Sequence, residues 1–297
     1  MITLPEAFEQ EMKQLLGEEE YEAYRKTFDE AVHRGLRVNN GKISTEEFLR
    51  RTDIPLKKVP WIPNGFYYDE ESCNPAKDAD YYAGLYYLQE PSAMTPASRL
   101  PIEPDDRVLD LCAAPGGKAR ELGSRIGEGG MLLANDISNS RAKALLRNLE
   151  IQGVGRLLVT SEDPEKLVTL YPAFFDKILL DAPCSGEGMF RKESSMLRYY
   201  SENGPEHYVP IQKKLNRAGV SDACRGRRAA VLYLYVFCKG ERRGHRRAAG
   251  CASGYGSAGN YPGLRRVCAG SIRDGAIFPG AFIFPQRWRE KAISWRS

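Results

Sequence analysis

Two short segments of the chain contain residue types that could hold a nucleoside and react at a base. The first, residues 110–118, has the sequence Asp-Leu-Cys-Ala-Ala-Pro-Gly-Gly-Lys and lies between a predicted strand and a predicted helix. Its glycines let the backbone approach a ligand, and Asp136, at the end of the next predicted strand, can accept hydrogen bonds from ribose hydroxyls. The glycine pair alone is typical of an ordinary turn, but together with Asp136 it indicates a nucleoside site.

The second segment, residues 181–186, has the sequence Asp-Ala-Pro-Cys-Ser-Gly and directly follows another predicted strand. Substrates meet cofactors at the carboxyl ends of parallel strands. Asp181 can accept a hydrogen bond from an exocyclic amino group such as N4 of cytosine. Cys184 can act as a nucleophile, acid or base where its thiolate is favoured. A lone cysteine is more often a small buried residue, but the Pro-Cys-Ser-Gly context predicts an exposed turn.

Two related kinds of nucleotide site are excluded. A P-loop requires G-x-x-x-x-G-K-[ST], whereas Cys112 stands at its first glycine and Ala119 at its Ser or Thr. The G-x-G-x-x-G spacing of dinucleotide sites is also absent. What remains is a nucleoside bound without a pyrophosphate cradle, which suits S-adenosylmethionine.

Alternating strands and helices must position these segments. Helical spacing predicts helices within residues 4–34, and Ser44 and Glu47 form a capping box before a further helix. Continuous apolar strands that alternate with helices then indicate an α/β fold with a doubly wound, Rossmann-like parallel sheet. The predicted strands are 108–111, 131–136, 157–160 and 177–181, and the predicted helices between them are 118–126, 138–152 and 164–171.

The charge of the chain changes sign near residue 217. Residues 1–216 contain 27 Lys and Arg against 35 Asp and Glu, whereas residues 217–297 contain 16 against 4, and 14 of those 16 are Arg. No apolar stretch approaches the length of a membrane span, and the N-terminus lacks the pattern of a secretory signal. The seven cysteines lack the spacing of a disulfide framework or a zinc site. We therefore expect a cytoplasmic protein with no membrane partner and no metal.

Three strings resemble the Nop/Sun family of RNA (cytosine-5) methyltransferases, and most closely its bacterial ribosomal-RNA members of the RsmF kind. The strings are residues 86–94, 109–118 and 176–192, and the similarity extends over about residues 1–217. An adenine-N6 methyltransferase would instead have Asn/Asp-Pro-Pro-aromatic after the fourth strand. The resemblance implies a methyltransferase whose cofactor is S-adenosylmethionine and whose substrate is RNA, in particular ribosomal RNA.

The resemblance also implies a role for each matching residue. Asp136 would hold the cofactor ribose, Asp163 would lie near its adenine, and Asp181 would orient the target base. One family cysteine, in a Thr-Cys pair after strand five, adds to C6 of cytosine, and the other, matched by Cys184, helps to release the product. The implied catalytic residues are Cys184 and Asp181, and the implied cofactor residues are Cys112, Ala113, Ala114, Pro115, Gly116, Gly117, Lys118, Asp136, Asp163 and Asp181.

The Thr-Cys pair is absent, because no cysteine of this chain follows a threonine. A shifted reading frame accounts for its loss. The family-like peptide LYSTCTF, encoded as CTG TAC TCT ACC TGT ACG TTT and translated from its third base, becomes VLYLYV, which is the sequence of residues 231–236. The codon of the nucleophile is then divided between Leu234 and Tyr235. A GC-rich gene translated out of frame also yields the Arg, Gly, Ala and Cys of the tail, which we favour over an evolved RNA-binding arm.

We therefore predict methylation of C5 of cytosine in RNA as the function of the lineage, with this chain inactive because its nucleophile is missing. Two alternatives are a catalytically dead module that binds RNA or cofactor, and a different S-adenosylmethionine-dependent enzyme that uses Cys184 alone. The predicted regions are a helical N-terminal domain (1–60), a connector (61–104), a methyltransferase domain (105–216) and a poorly packed tail (217–297).

Overall fold

The computed structural model describes residues 2–30, 32–225 and 230–234. Its α-helices are α1 (Glu6–Leu16), α2 (Glu18–Lys26), α3 (Thr45–Arg51), α4 (Ala79–Tyr82), α5 (Thr95–Arg99), α6 (Gly117–Arg125), α7 (Asn139–Ile151), α8 (Pro164–Leu170), α9 (Ser194–Asn203) and α10 (Tyr208–Arg225). Its strands are β1 (Arg34–Val38), β2 (Lys57–Lys58), β3 (Gly65–Tyr68), β4 (Tyr86–Leu88), β5 (Arg107–Asp110), β6 (Met131–Asn135), β7 (Leu157–Thr160), β8 (Lys177–Asp181) and β9 (Ala230–Leu234).

Five of these strands form a parallel sheet in the order β7-β6-β5-β8-β9. The chain leaves β5 on one side towards β6 and returns on the other side at β8. The carboxyl ends of β5 and β8 therefore form the topological switch point, where open α/β sheets bind ligands. The predicted α/β fold is confirmed, and each of its four predicted strands lies within one residue of its observed position.

Helices cover both faces of this sheet. Val108 of β5 packs in one core with Leu122 of α6 and Leu145 of α7. The next residue, Leu109, packs on the opposite face with Leu167 of α8. Because successive strand residues point to opposite faces, a strand buried on both sides must be apolar at its buried centre, as Val108 and Leu109 of β5 are.

The other four strands form an antiparallel sheet in the order β2-β3-β1-β4, next to the N-terminal helices. This sheet is an addition to the helical N-terminal region expected from the sequence. One half of the predicted capping box is present, since the Ser44 hydroxyl accepts a hydrogen bond of 3.1 Å from the backbone amide of Glu47. No helix in the described ranges is long and apolar enough to cross a membrane.

One buried arginine joins the two sheets. Arg37 of β1 is fully buried, and its guanidinium lies 2.9 Å from the carboxylate of Glu121 on α6. The side chain of Asn64 accepts a hydrogen bond from Arg37 at 3.1 Å and donates one to Glu121 at 3.1 Å. Further bonds run from Arg37 to the Met94 carbonyl and the Ser98 hydroxyl. The guanidinium therefore fixes the antiparallel sheet against the helix that follows the Gly-rich loop.

The N-terminal helices pack on the segment that follows β8. The ring of Phe8 on α1 lies 5.2 Å from that of Phe190 and 5.8 Å from that of Tyr200 on α9, both in edge-on geometry. Phe28 joins the same apolar cluster. Helices α1 and α2 thus support the chain immediately after the second motif.

The described part of the region beyond residue 217 is regular. Helix α10 continues to Arg225, and β9 pairs in parallel with β8 along its whole length. Residues 226–229 and 235–297, which make up most of the predicted tail, lie outside the described residues. The division of the chain at residues 60, 104 and 216 stays a prediction.

We expect Arg37→Ala to lower the free energy of unfolding by about 3–5 kcal/mol, because it leaves the Glu121 carboxylate buried without its partner. Urea denaturation followed by circular dichroism would measure this loss. Arg198→Ala is the matched control, since its ion pair with Glu202 on α9 is exposed and should contribute less than about 1 kcal/mol. Equal losses in the two variants would show that the buried network does not hold the sheets together.

Candidate functional site

The two motifs meet at the switch point of the parallel sheet. Lys118, in the first turn of α6, places its Nζ 2.5 Å from Oδ2 of Asp181, at the end of β8. Both side chains are partly exposed, at 18% and 26% respectively. The pair is therefore accessible to a ligand, and it joins residues that are 63 positions apart in sequence.

The glycines before Lys118 are required by the local geometry. Gly116 has φ +108°, in the left-handed region, and precedes the first residue of α6. A Cβ on Gly117 would lie 2.9 Å from the side-chain amide nitrogen of Gln89, which follows β4. A side chain at either position would strain the loop or displace its neighbour.

Asp136 lies at the end of β6 and faces the same loop. Its carboxylate is only 3% exposed, accepts a hydrogen bond from the Ser138 amide at 3.0 Å, and lies 3.2 Å from the guanidinium of Arg141. Arg141 also donates to the carbonyl of Ala114 at 2.9 Å. Residues of the first motif and Asp136 are thus brought together, as the two-motif pattern predicted.

Asp163 is held differently. One of its carboxylate oxygens caps α8 by accepting from the Glu165 amide at 2.9 Å, and the other pairs with Lys214 of α10 at 2.8 Å. The hydrogen bond from Lys214 lowers the pKa of Asp163. Its described contacts therefore tie Asp163 to α8 and α10 rather than to the Lys118–Asp181 pair.

Asp110 opens the first motif and was not predicted to have a role, but its carboxyl group is unusually placed. It is 1% exposed at the end of β5, and neither oxygen has a partner with hydrogen-bond geometry among the described residues. Burial raises its pKa to about 7, and this effect outweighs the attraction of Lys118 and the nearby amide of Cys112. The signal available in the sequence was an acid placed directly after the buried pair Val108 and Leu109.

Cys184 lies three residues beyond Asp181 in a turn that is less exposed than predicted. The thiol is half-buried and Ser185 is buried. Burial raises the pKa of Cys184 to about 11 and raises the pKa of Cys112 further, so both thiols are protonated at neutral pH. From α10, the side chain of Gln212 donates a 2.9 Å hydrogen bond to the Pro183 carbonyl, which fixes the start of this turn.

Strand β9 ends beside Asp181. In the parallel pairing of β8 with β9, Asp181 is in register with Leu234, the last residue of β9. The carboxyl end of β9 therefore lies at the same edge of the sheet as the two motifs.

Comparisons with known proteins agree with this arrangement. Residues 97–239 match the family described as 16S rRNA methyltransferase RsmB/F, and residues 4–91 match the N-terminal domain of 16S rRNA methyltransferase RsmF. The chain belongs to the RsmB/F methyltransferase family. The RsmB/F match extends beyond residue 217 and includes β9.

Relatives and solved structures support the membership. Ribosomal RNA small subunit methyltransferase F of Erwinia tasmaniensis is 35% identical over 80% of this chain and 51% of its own length. The chain thus spans about half the length of the curated RsmB/F relatives it matches. A methyltransferase homologue from Pyrococcus horikoshii shares 28% identity, with a TM-score of 0.59 over 70% of this chain and 66% of its own. NSun6 from Pyrococcus horikoshii, solved with SFG, has the same fold, with 20% identity and a TM-score of 0.64 over 77% of this chain and 82% of its own.

The residues of the site fit S-adenosylmethionine, the cofactor of this methyltransferase fold. Three carboxyl groups, those of Asp110, Asp136 and Asp181, lie close enough to influence one another at the ends of β5, β6 and β8. The cofactor contains a sulfonium and an ammonium group, and Asp110 is a buried acid with no hydrogen-bond partner within the described ranges. A cationic ligand beside Asp110 would therefore pair with its carboxylate and offset the cost of burying that negative charge.

We expect the stability of the ligand-free chain to fall as pH rises from about 4 to about 7. The folded state keeps Asp110 protonated up to about pH 7, whereas the unfolded chain releases that proton near its ordinary pKa, so stability is lost through this interval. Asp110→Asn should flatten the dependence, and urea denaturation at a series of pH values would measure it. An equally steep fall in the Asn variant would exclude Asp110 as its source.

Proposed function

We propose that this chain derives from an enzyme that methylates C5 of a cytosine in 16S ribosomal RNA, in the cytoplasm, with S-adenosylmethionine as methyl donor. The observation that carries the proposal is the 2.5 Å contact between Lys118 and Asp181 at the switch point. It joins the nucleoside-binding motif to the base-contacting motif at one edge of the sheet. The names of the RsmB/F relatives support the choice of RNA.

The cofactor would bind across the carboxyl ends of β5 and β6. Residues 112–118 provide a loop whose glycines admit the ligand, and the buried carboxylate of Asp136 would accept hydrogen bonds from the ribose hydroxyls. Asp163 would contact the adenine only after its pairing with Lys214 loosens, because both of its oxygens are engaged.

The target base would lie over β8. A carboxylate at Asp181 can accept from N4 of cytosine, and the adjacent ammonium of Lys118 holds that carboxylate in place. In the family reaction a thiolate adds to C6, the methyl group moves from the sulfonium to C5, and loss of the C5 proton then expels the thiolate. Cys184 would assist this release, and because burial disfavours its thiolate it must first give up its own proton.

A second candidate, a module that binds cofactor and RNA without methylating, is favoured by one further observation. Leu234 stands in register with Asp181, at the strand end where the Thr-Cys pair is expected, and Tyr235 follows it. Neither a leucine nor a tyrosine side chain supplies the thiolate that must add to C6. We propose that this chain keeps the binding functions of the family and lacks its covalent step.

We expect Asp136→Ala to weaken S-adenosylmethionine binding by about 1–3 kcal/mol, because the ribose hydroxyls would lose their acceptor. Isothermal titration calorimetry of the 297-residue chain would measure the change. Glu128→Ala is the control, since this exposed residue beyond α6 carries the same charge. Unchanged affinity in Asp136→Ala would remove Asp136 from the cofactor site.

We also expect no measurable methylation by this chain. Transfer of a radiolabelled methyl group to unmodified 16S ribosomal RNA should be compared with a version whose reading frame is restored from about residue 217. Loss of a covalent nucleophile lowers rates by up to about 10⁶-fold in enzymes that depend on one. Activity within about tenfold of the restored enzyme would contradict both the nucleophile assignment and the frameshift hypothesis.

A further inference from the structure

Helix α7 donates two side-chain hydrogen bonds to the Gly-rich loop between β5 and α6. Arg141 donates to the carbonyl of Ala114 at 2.9 Å, and Asn148 donates to the carbonyl of Pro115 at 2.8 Å. The two carbonyls belong to successive residues of the first motif. Because the donors are 27 and 33 positions away in sequence, these bonds fix the loop against a separate element of the fold.

The two donors lie on one face of α7, with an apolar side chain between them. Arg141, Leu145 and Asn148 are spaced four and three residues apart, which places their side chains on the same side of a helix. Leu145 is fully buried, and its Cδ1 lies 3.0 Å from the position that a Cβ on Gly116 would take. Since Gly116 directly follows Pro115, this face of α7 meets three consecutive residues of the loop.

Arg141 makes a second contact from the same nitrogen atom. Its Nη2, which donates to Ala114, also lies 3.2 Å from Oδ2 of Asp136. The other oxygen of Asp136 accepts a hydrogen bond from the Ser138 amide at 3.0 Å, and only 3% of the Asp136 side chain is exposed. A buried carboxylate is tolerated when it is paired and hydrogen-bonded. Arg141 therefore joins the acid at the end of β6 to the loop that follows β5.

The other end of α7 is held by the residues that follow β1. Asn39 donates a 2.8 Å hydrogen bond to the carbonyl of Gln152, directly beyond the helix. Lys42 donates to the carbonyl of Ile151, the last residue of the helix, at 2.7 Å. A cation at this end also offsets the partial negative charge of the helix terminus. The helix that carries the two donors is thus anchored independently of the loop.

The contact between Arg141 and Asp136 has two possible consequences of opposite sign. The guanidinium could cover Asp136 and have to leave before a ribose binds, or it could hold the acid and the loop at the separation that the ribose requires. Asn148 favours the second, because a side chain that only covered Asp136 would need no companion on the next loop carbonyl. A loop and an acid that are already in position lose less conformational freedom when a ligand binds.

We propose that Arg141 is a positioning residue of the cofactor site, which sets the separation between the loop of residues 112–118 and Asp136. Asn148 supports the same loop from further along α7. This inference rests on the proposed function, since it concerns how the ribose of S-adenosylmethionine is received. Arg141 acts through Asp136 and Ala114 rather than through a bond to the cofactor.

The first test measures the affinity of the full 297-residue chain for S-adenosylmethionine by isothermal titration calorimetry. Arg141→Met removes both polar contacts and should weaken binding by about tenfold or more, the usual effect of losing a hydrogen bond to a charged group. Arg141→Lys should restore most of the affinity, because one ammonium can donate to both oxygens. Arg147→Met is the matched control, since this arginine is exposed on the same helix and its spacing places it on a different face.

A double-mutant cycle identifies the residue through which Arg141 acts. Arg141→Met should lower the affinity far less in the Asp136→Ala background than in the unaltered chain, because its partner is already gone. Asn148→Ala should lower the affinity by the same factor in both backgrounds, since its hydrogen bond goes to the Pro115 carbonyl. Additive effects of Arg141→Met and Asp136→Ala overturn the proposal. Tighter binding in Arg141→Met overturns it as well, because the guanidinium would then cover the site.

Hydrogen exchange of the ligand-free chain separates this inference from the proposed function. In peptides that cover residues 111–120, Arg141→Met should raise amide exchange by about tenfold, whereas Arg147→Met should leave it unchanged. Faster exchange in a chain that does not bind the cofactor rejects the proposed function and retains the support of the loop by Arg141. Cofactor binding in which Arg141→Met changes neither affinity nor loop exchange rejects the inference and leaves the proposed function standing.

Discussion

The buried guanidinium of Arg37 is the constraint on which the arrangement of the molecule depends. A fully buried cation is tolerated only when its charge and its donors are satisfied, and here Glu121, Asn64, Met94 and Ser98 supply the partners. Arg37 itself belongs to β1, whereas Glu121 lies on α6. Asn64 directly precedes β3, Met94 directly precedes α5, and Ser98 lies within α5. The antiparallel sheet cannot move relative to α6 without separating the buried charges of Arg37 and Glu121. The first turn of α6, which contains Gly117 and Lys118, is therefore held in a fixed position.

Much of the parallel sheet could be predicted from the sequence, because strands buried on both faces are continuously apolar and the helices between them keep their period. The antiparallel sheet could not be predicted in the same way. Its strands are short, β2 has only two residues, and β1 is interrupted by the charge of Arg37, which resembles a surface position until its buried partners are known. Local patterns describe solvent exposure well and describe paired polar groups inside the fold poorly.

Sequence patterns also predict only part of the candidate site. The glycines, Asp136 and Asp181 could be recognised from motif spacing, whereas the environment of Asp110 depends on neighbours distant in sequence, Asp136 and Asp181. Among the residues that the structure describes, the lack of a hydrogen-bond partner for Asp110 becomes visible only when strands and loops are placed side by side. The exposure expected for the Pro-Cys-Ser-Gly turn holds only in part: Pro183 is exposed, Cys184 is half-buried and Ser185 is buried, and Gln212 of α10 binds the Pro183 carbonyl.

The pairing of β9 with β8 shows that the fifth strand of the sheet can form without a reactive side chain. A parallel ladder is made by backbone amides and carbonyls, and residues such as valine, leucine and tyrosine supply them while favouring extended structure. These backbone hydrogen bonds do not depend on whether a cysteine or a tyrosine follows the strand in the sequence. A segment translated in a shifted frame can therefore still complete the sheet when its residues favour extended structure, so a shared fold does not by itself establish a shared reaction.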